Sequence, residues 1–207
     1  SDVCSSDLEF RPRYPNALFD FIASAVPRRS LAWDCACGSG QATAGLASRF
    51  DRVIATDGSA EQIASATPLA NVEYRVALAE RSGLPEASVD LVTVAQALHW
   101  LDLDAFYAEA RRVLKPGGVL AVWAYAICEV EGADVNAIAF DFYKNVVGPY
   151  WPPARKHVEA GYRTIAFPFQ EVESPQFILE AQWTFDELIG YFSTDRKSTR
   201  LNSSHSS

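Results

Sequence analysis

No cluster of lysine or arginine occurs in this chain, and no apolar run approaches the ~20 residues a helix needs to cross a bilayer. The first absence removes the cationic face on which binding to a phosphate backbone depends. With a net charge of −8, a nucleic-acid partner is not expected. The second argues against a membrane span. No charged segment followed by an apolar one opens the sequence, so a secretion signal is not expected and a reducing cytoplasm is the expected setting. Cysteine is scarce: Cys4, Cys35, Cys37 and Cys128. Cys35 and Cys37 are two apart on an expected strand, too close for an ordinary disulfide, and a C-x-C pair lacks the four ligands of a structural metal site. Packing is the reading for both, and no metal is expected.

What is present suits one domain with a substantial core: 207 residues, 49% hydrophobic. Leu31–Cys35 and Arg52–Thr56 read as strands, and the nearly all-apolar Val89–Ala95 and Gly118–Ile127 as strands covered on both faces. Val72, Tyr74 and Val76 alternate with Glu73 and Arg75, the pattern of a strand with one wet face. Helices are expected at Ala17–Ala25 and Gln41–Arg49, and after Ser59, where Gln62 completes a capping-box pattern. Leu103, Phe106, Tyr107, Ala110, Val113 and Leu114 recur at helical spacing, with Asp102 as cap and Lys115–Gly118 as stop. Strand alternating with helix predicts an α/β, doubly wound, Rossmann-like, mostly parallel sheet. Beyond Ile127 the pattern loosens. Val135, Ile138, Phe142 and Val146 predict one amphipathic helix, Arg155–Ala166 a second, Phe177–Trp183 a strand and Phe185–Phe192 a helix.

The run Trp33–Thr43 (WDCACGSGQAT) sends a strand through a glycine-bearing turn into a helix, and a second strand ends in Asp57, 17 positions after Gly40. Glycines let a backbone approach a ligand closely, and a carboxylate at that distance accepts both hydroxyls of a ribose. The pattern predicts a nucleoside cofactor. Counting from Gly38, a dinucleotide fingerprint meets Gly38, Gly40 and then Thr43 where its third glycine belongs; no Tyr-x-x-x-Lys pair occurs, and no Gly-Lys-Ser/Thr follows the turn. An NAD(P)-dependent oxidoreductase stays as the weaker alternative.

Asp34–Gly40, Asp57, Ala79–Val92, Gln96–Trp100 and Arg112–Trp123, with the leading FRPRYP (Phe10–Pro15), resemble a class I S-adenosylmethionine-dependent methyltransferase. The similarity is to the type-11 methyltransferase domain, in the small-molecule branch that includes trans-aconitate methyltransferases. It implies a methyltransferase with S-adenosyl-L-methionine as cofactor and a small-molecule acceptor. By that resemblance Asp34 helps hold the methionine amino group, and Cys37, Gly38, Ser39 and Gly40 wrap the methionyl and ribose portion. Ala36 stands where a first glycine is common. Asp57 accepts the ribose hydroxyls, Gly58 and Ser59 flank the adenine, Ala79 and Glu80 border its edge, and Gln96 and Ala97, with His99 and Trp100 beyond them, close the pocket. For each residue the alternative is structural: Asp34 and Asp57 as helix caps, the glycines as plain turns.

A sulfonium methyl is already activated, so the protein mainly aligns donor and acceptor. A carboxylate acceptor needs no base but wants a cation, for which Arg11 and Arg13, beside Tyr14, are candidates; solvated loop charge is their other reading. The catalytic residue is left unassigned: His99 is the candidate base, and a pocket-lining role is preferred for it. Phe140, Phe142, Tyr143, Tyr150 and Trp151 either wall an acceptor or pack on the sheet. His157 has nothing around it to single it out. The serine-rich ends, 1–8 and 196–207, resemble translated adapter sequence. They leave 9–195 as a single methyltransferase domain: a cofactor half at 31–127 and a variable region at 128–195. The relatives' last strand is expected to be missing, and with it an inactive fragment is a further alternative.

Overall fold

The computed structural model describes residues 12–125 and 128–191. The expected doubly wound sheet forms, with five parallel strands in the order β3-β2-β1-β4-β5: β1 (Leu31–Cys35), β2 (Arg52–Asp57), β3 (Val72–Val76), β4 (Val89–Ala95) and β5 (Leu114–Trp123). β1, β2 and β4 are the near-continuous apolar runs, and they occupy the middle. β3, whose residues alternate, is one edge and only partly buried, as alternation predicts; β5, expected to be covered on both faces, is the other edge and is likewise only partly buried. Among the described residues no sixth strand joins the sheet.

Register sorts the side chains onto two faces. Ala32, Val53, Val72, Leu91 and Val119 share a row. They pack with Leu18, Phe19 and Ile22 of α1 (Asn16–Ala25) and Ala42 and Leu46 of α2 (Gln41–Ala47). Phe19 lies directly on Gly45 of α2, where an added Cβ would come within 2.2 Å of the ring. On the opposite face Trp33 meets Phe106 of α4 (Leu103–Val113) at 6.3 Å, and its indole N–H donates to the buried Thr56 hydroxyl at 2.9 Å. A short α3 (Ala60–Ser65) follows β2; Ser59 caps it by accepting from the Gln62 N–H at 3.3 Å. Asp102 caps α4 in the same way, accepting from the Ala105 N–H at 3.2 Å.

Lys115–Gly118 does not act as the expected helix stop ahead of a strand. The helix ends at Val113, and these residues lie inside β5 as a bulge: Val89 pairs with Leu114, but Leu91 already pairs with Val119. Gly117 takes φ +77°, and at Gly118 a Cβ would meet the Lys115 carbonyl at 2.9 Å. The bulge brings Lys115 Nζ to 2.9 Å from Asp90 Oδ1, while Asp90 Oδ2 accepts the N–H groups of Ser30 (3.1 Å) and Leu31 (3.0 Å). One buried carboxylate thus ties the amino-terminal ends of β1, β4 and β5.

The chain divides into two compact units, one holding the sheet (Arg13–Ala124 with Ala166–Glu180) and a second holding Tyr125–Ile165 and the described residues from Ala181 on. In the first, Phe167 and Phe169 flank Tyr107 at 6.0 and 5.9 Å, Arg111 donates to the Pro168 carbonyl, and Phe177 meets Phe21 of α1 at 5.7 Å. The strand expected at Phe177–Trp183 is therefore corrected: the stretch carries no strand, and Phe177 anchors through its ring instead of a backbone ladder.

In the second unit the expected single amphipathic helix is also corrected. α5 (Ala133–Asp141) runs into a π-helical turn over Phe142–Val147. Val135, Ile138 and Val146 are 46%, 70% and 49% exposed, whereas Ala139 and Val147 are buried. The extra residue per turn shifts the inward face by one position, so Val147 takes the place expected for Val146. α6 (Arg155–Glu159) stops well short of Ala166, because Gly161 and Tyr162 turn left-handed at φ +57° and +60° and the Tyr162 N–H closes on the His157 carbonyl. Residues 185–191 are helical, as expected. No helix among the described residues is long and apolar enough to cross a membrane.

Candidate functional site

β1 ends at Cys35, and the chain then turns sharply: Ala36 has φ +54°, Gly38 +55° and Gly40 +92°. A hydrogen bond from the Cys37 N–H to the Thr56 carbonyl (2.9 Å) holds the turn against β2, and Gly40 leads into α2. Next door, Asp57 closes β2. Its Oδ2 accepts the Gly38 N–H at 2.9 Å and its Oδ1 the Ser59 N–H at 2.8 Å. The carboxylate therefore joins the glycine turn to the loop after β2, and each oxygen keeps a lone pair for a donor from outside. Gln62 Oε1 reaches to 3.8 Å from where a Cβ on Gly38 would stand.

Ala36 is a non-glycine residue in left-handed geometry, costing about 1–2 kcal/mol. Gln96, directly after β4, is another, at φ +60°. β1 and β4 are adjacent, and between them the strand order reverses. Carboxyl-terminal strand ends at such a reversal are where open α/β sheets bind ligands, and backbone strain concentrates at such sites. Beyond Gln96, Ala97 is half-buried and a 3₁₀ turn (Leu98–Trp100) places the half-buried His99 ring 4.7 Å from that of Trp100, which is exposed.

Asp34 is not a helix cap. It is fully buried, and its carboxylate accepts the hydroxyls of Thr43 (2.5 Å) and Thr93 (2.8 Å). Burial pushes its pKa up to about 6, the two threonines pull it back in part, and Asp57 adds to the rise. Cys37 does not share a strand with Cys35, because the left-handed Ala36 carries it into the turn. Burial foremost, then Asp34, raises both thiols, so neither is poised as a nucleophile. No group of three or more His, Cys, Asp or Glu among the described residues is arranged to hold a metal.

The loop after β3 supplies a wall. Leu78 is 62% exposed with Cδ2 3.3 Å from the Cβ position of Gly58, and Ala79 is buried behind it. Glu80 points to the neighbouring loop, where Oε1 accepts the Asp102 N–H at 3.1 Å. Ser39, expected in the wrap, is half-buried within the turn. Of the candidates for an acceptor, Arg11 lies outside the described residues and Arg13 is exposed. Tyr14 packs edge-on against Trp123 at 5.7 Å and Phe19 at 6.3 Å. In the second unit Phe140 and Tyr150 are exposed and Phe142 half-buried. Tyr143 and Trp151 stack with the Arg155 guanidinium, which lies 4.5 Å over Trp151. His157 Nδ1 is 2.7 Å from the Thr164 hydroxyl.

Thr43, Tyr74, Leu78 and Thr93 belong to the neighbourhood of the turn and do not stand out as site residues in the sequence. Two of them carry a signal there. Thr43 stands where a dinucleotide fingerprint has its third glycine, and Thr93 is the hydroxyl in an otherwise apolar run.

The profile of the family described as methyltransferase domain matches residues 33–122. A presumed methyltransferase of Dictyostelium discoideum is 36% identical over 195 residues, covering 93% of this chain and 74% of that protein. The solved structure of a presumed type II methyltransferase from Anaeromyxobacter dehalogenans is similar at 46% identity with TM-score 0.85, covering 93% of this chain and 82% of that one. A SAM-dependent methyltransferase from Aquifex aeolicus shares the fold at 21% identity with TM-score 0.53, over 64% of this chain and 78% of the other.

Proposed function

The chain belongs to the S-adenosyl-L-methionine-dependent methyltransferases of the methyltransferase-domain family, and on that premise we propose that it methylates a small organic acid at a donor site built around the Gly38–Gly40 turn and Asp57. The supporting observation is the junction at Asp57: one carboxylate held by the Gly38 and Ser59 N–H groups, with acceptor capacity to spare, beside a turn in which Gly38 leaves the backbone open. These residues fit a nucleoside carrying an amino-acid tail, with Asp57 on the ribose hydroxyls and Leu78 along the base. Bound there, S-adenosyl-L-methionine supplies a methyl group already activated on a sulfonium.

The chain's own contribution is alignment and exclusion of water. The glycine turn with Cys37 and Ser39 fixes the tail. Asp34 acts by holding Thr43 and Thr93, and so the first turn of α2 against β4. Gln96, Ala97, His99 and Trp100 form the rim towards the acceptor, with Ala79 and Glu80 behind the base. A carboxylate acceptor is favoured because its transfer releases no proton and so asks for no base. Arg11 and Arg13 then serve as the cations that meet it. The resemblance of the sequence to the trans-aconitate branch is the ground for that choice, and a reducing, cytoplasmic setting belongs to the same reading, with which the thiols Cys35 and Cys37 accord.

Calorimetric titration with S-adenosylhomocysteine and, separately, NAD tests the donor site: binding of the first in the micromolar range and none of the second is expected. The reverse preference would remove the reading. Transfer of labelled methyl to a panel of di- and tricarboxylates tests the acceptor. Incorporation into amines or phenols but no acid overturns that half.

A further inference from the structure

On the reading of this site as a methyl-donor seat, we infer that Tyr74 is a positioning residue: it fixes the half of the cradle that takes the amino-acid tail, through Gly40 and Thr43, and leaves the nucleoside half to Asp57.

Tyr74 belongs to the outer strand β3, two strands away from the glycine turn. Register explains its reach. Tyr74 pairs with Ala55, Ala55 with Asp34 and Asp34 with Thr93, so the four share one row and one face. Ala55 presents only a methyl group, so nothing bulky stands between Tyr74 and the turn above β1. The phenol accordingly ends on Gly40: its Oη is 2.9 Å and its Cε1 3.4 Å from where a Cβ on Gly40 would stand, with Thr43 Oγ1 3.5 Å from the same point. At φ +92° Gly40 is already in backbone geometry that other residues rarely adopt, and the ring closes over it.

The hydroxyl does more than fill space. It donates to the Thr67 carbonyl at 3.1 Å, tethering the ring to the segment between α3 and β3. Beside it stands Thr43, whose own hydroxyl is given to Asp34, and Asp34 also takes the hydroxyl of Thr93. The phenol, two threonines and a carboxylate thus form a continuous polar line from β3 through α2 and β1 to β4, passing under the turn. Asp57 is held separately, by Gly38 and Ser59. The cradle therefore has two supports, Asp57 at Gly38 and the polar line under Gly40, and Tyr74 belongs to the second.

The test compares the full chain with Tyr74→Phe and Tyr74→Leu, using two probes. S-adenosylhomocysteine engages both halves; 5′-methylthioadenosine lacks the amino-acid tail and engages only the nucleoside half. Removing the hydroxyl alone should weaken S-adenosylhomocysteine about 3- to 10-fold, in line with losing one tethering hydrogen bond. It should leave methylthioadenosine within twofold and the melting temperature within about 2 °C. Tyr74→Leu should weaken S-adenosylhomocysteine further while still sparing methylthioadenosine. Equal losses for both probes, or none for Tyr74→Phe, overturn the inference. A parent chain that binds neither probe overturns the donor-site reading itself, which separates the two failures.

Discussion

Replacing Gly45 with alanine sets two effects of opposite sign against each other. Gly45 is inside α2, where glycine costs about 1 kcal/mol relative to alanine, so helix propensity alone predicts stabilisation. The added Cβ, however, would stand 2.2, 2.3 and 2.5 Å from three carbons of the Phe19 ring. Carbon atoms rest at about 3.5–4.0 Å, so the ring must retreat by more than about 1 Å. It has nowhere easy to go. Phe19 is buried, with Tyr14 and Trp123 against it edge-on at 6.3 and 6.4 Å and the Arg49 guanidinium over its face at 5.5 Å. Overpacking of this kind costs about 1–3 kcal/mol, and so closed a surround places it at the upper end. After the helix gain is subtracted, Gly45→Ala should destabilise by about 2 kcal/mol, or ~4–8 °C in melting temperature for a chain of this size. Differential scanning calorimetry reads that directly. Combining it with Phe19→Leu should recover much of the loss, since the pair is coupled through one contact. A higher melting temperature for Gly45→Ala alone would refute the reasoning.

Asp57→Asn keeps a similar shape but loses the charge and one acceptor; S-adenosylhomocysteine affinity should fall at least ~10-fold by calorimetry, and a change under threefold would contradict its assigned role. Two buried carboxyls should show opposite pH signatures in denaturant midpoints measured from pH 3 to 7. Asp34 is raised from 3.8 to about 6 by burial, so between those values the folded state binds more protons than the unfolded one. Stability should therefore fall as pH rises through that window, and Asp34→Asn should flatten the slope. Glu109 is held down at about 2, from 4.5, chiefly by Arg112 and also by Ser82. Its stabilisation is present above 4.5 and lost as pH falls towards 2, a limb that Glu109→Gln should remove.

Some of this architecture is written locally and some is not. β1, β2 and β4 are apolar runs bounded by turn residues, and the pairing of Asp57 with the glycine turn follows from spacing, so both were legible. The partners of Asp34 were not. Thr43 comes from a helix and Thr93 from a strand 59 residues on, and only the pairing of β1 with β4 and the seating of α2 beside them bring the three together. Tyr74 reads as one more alternating strand residue until Ala55 is seen beside it. The Lys115–Gly118 stretch misled because a glycine pair that ends a helix and one that permits a strand bulge look the same, and what decides is Asp90, 25 residues earlier. In the second unit the apolar spacing was real, but a single π turn moved the inward face from Val146 to Val147.

The place of Asp90 has a consequence for how such an enzyme diversifies. Its carboxylate anchors three strands at their amino-terminal ends, away from the loops at their carboxyl ends. Strand spacing is therefore secured without help from residues 78–80 or 96–100. The loops can therefore change in sequence while the frame beneath them holds, and a substitution there is expected to alter binding before it alters the sheet.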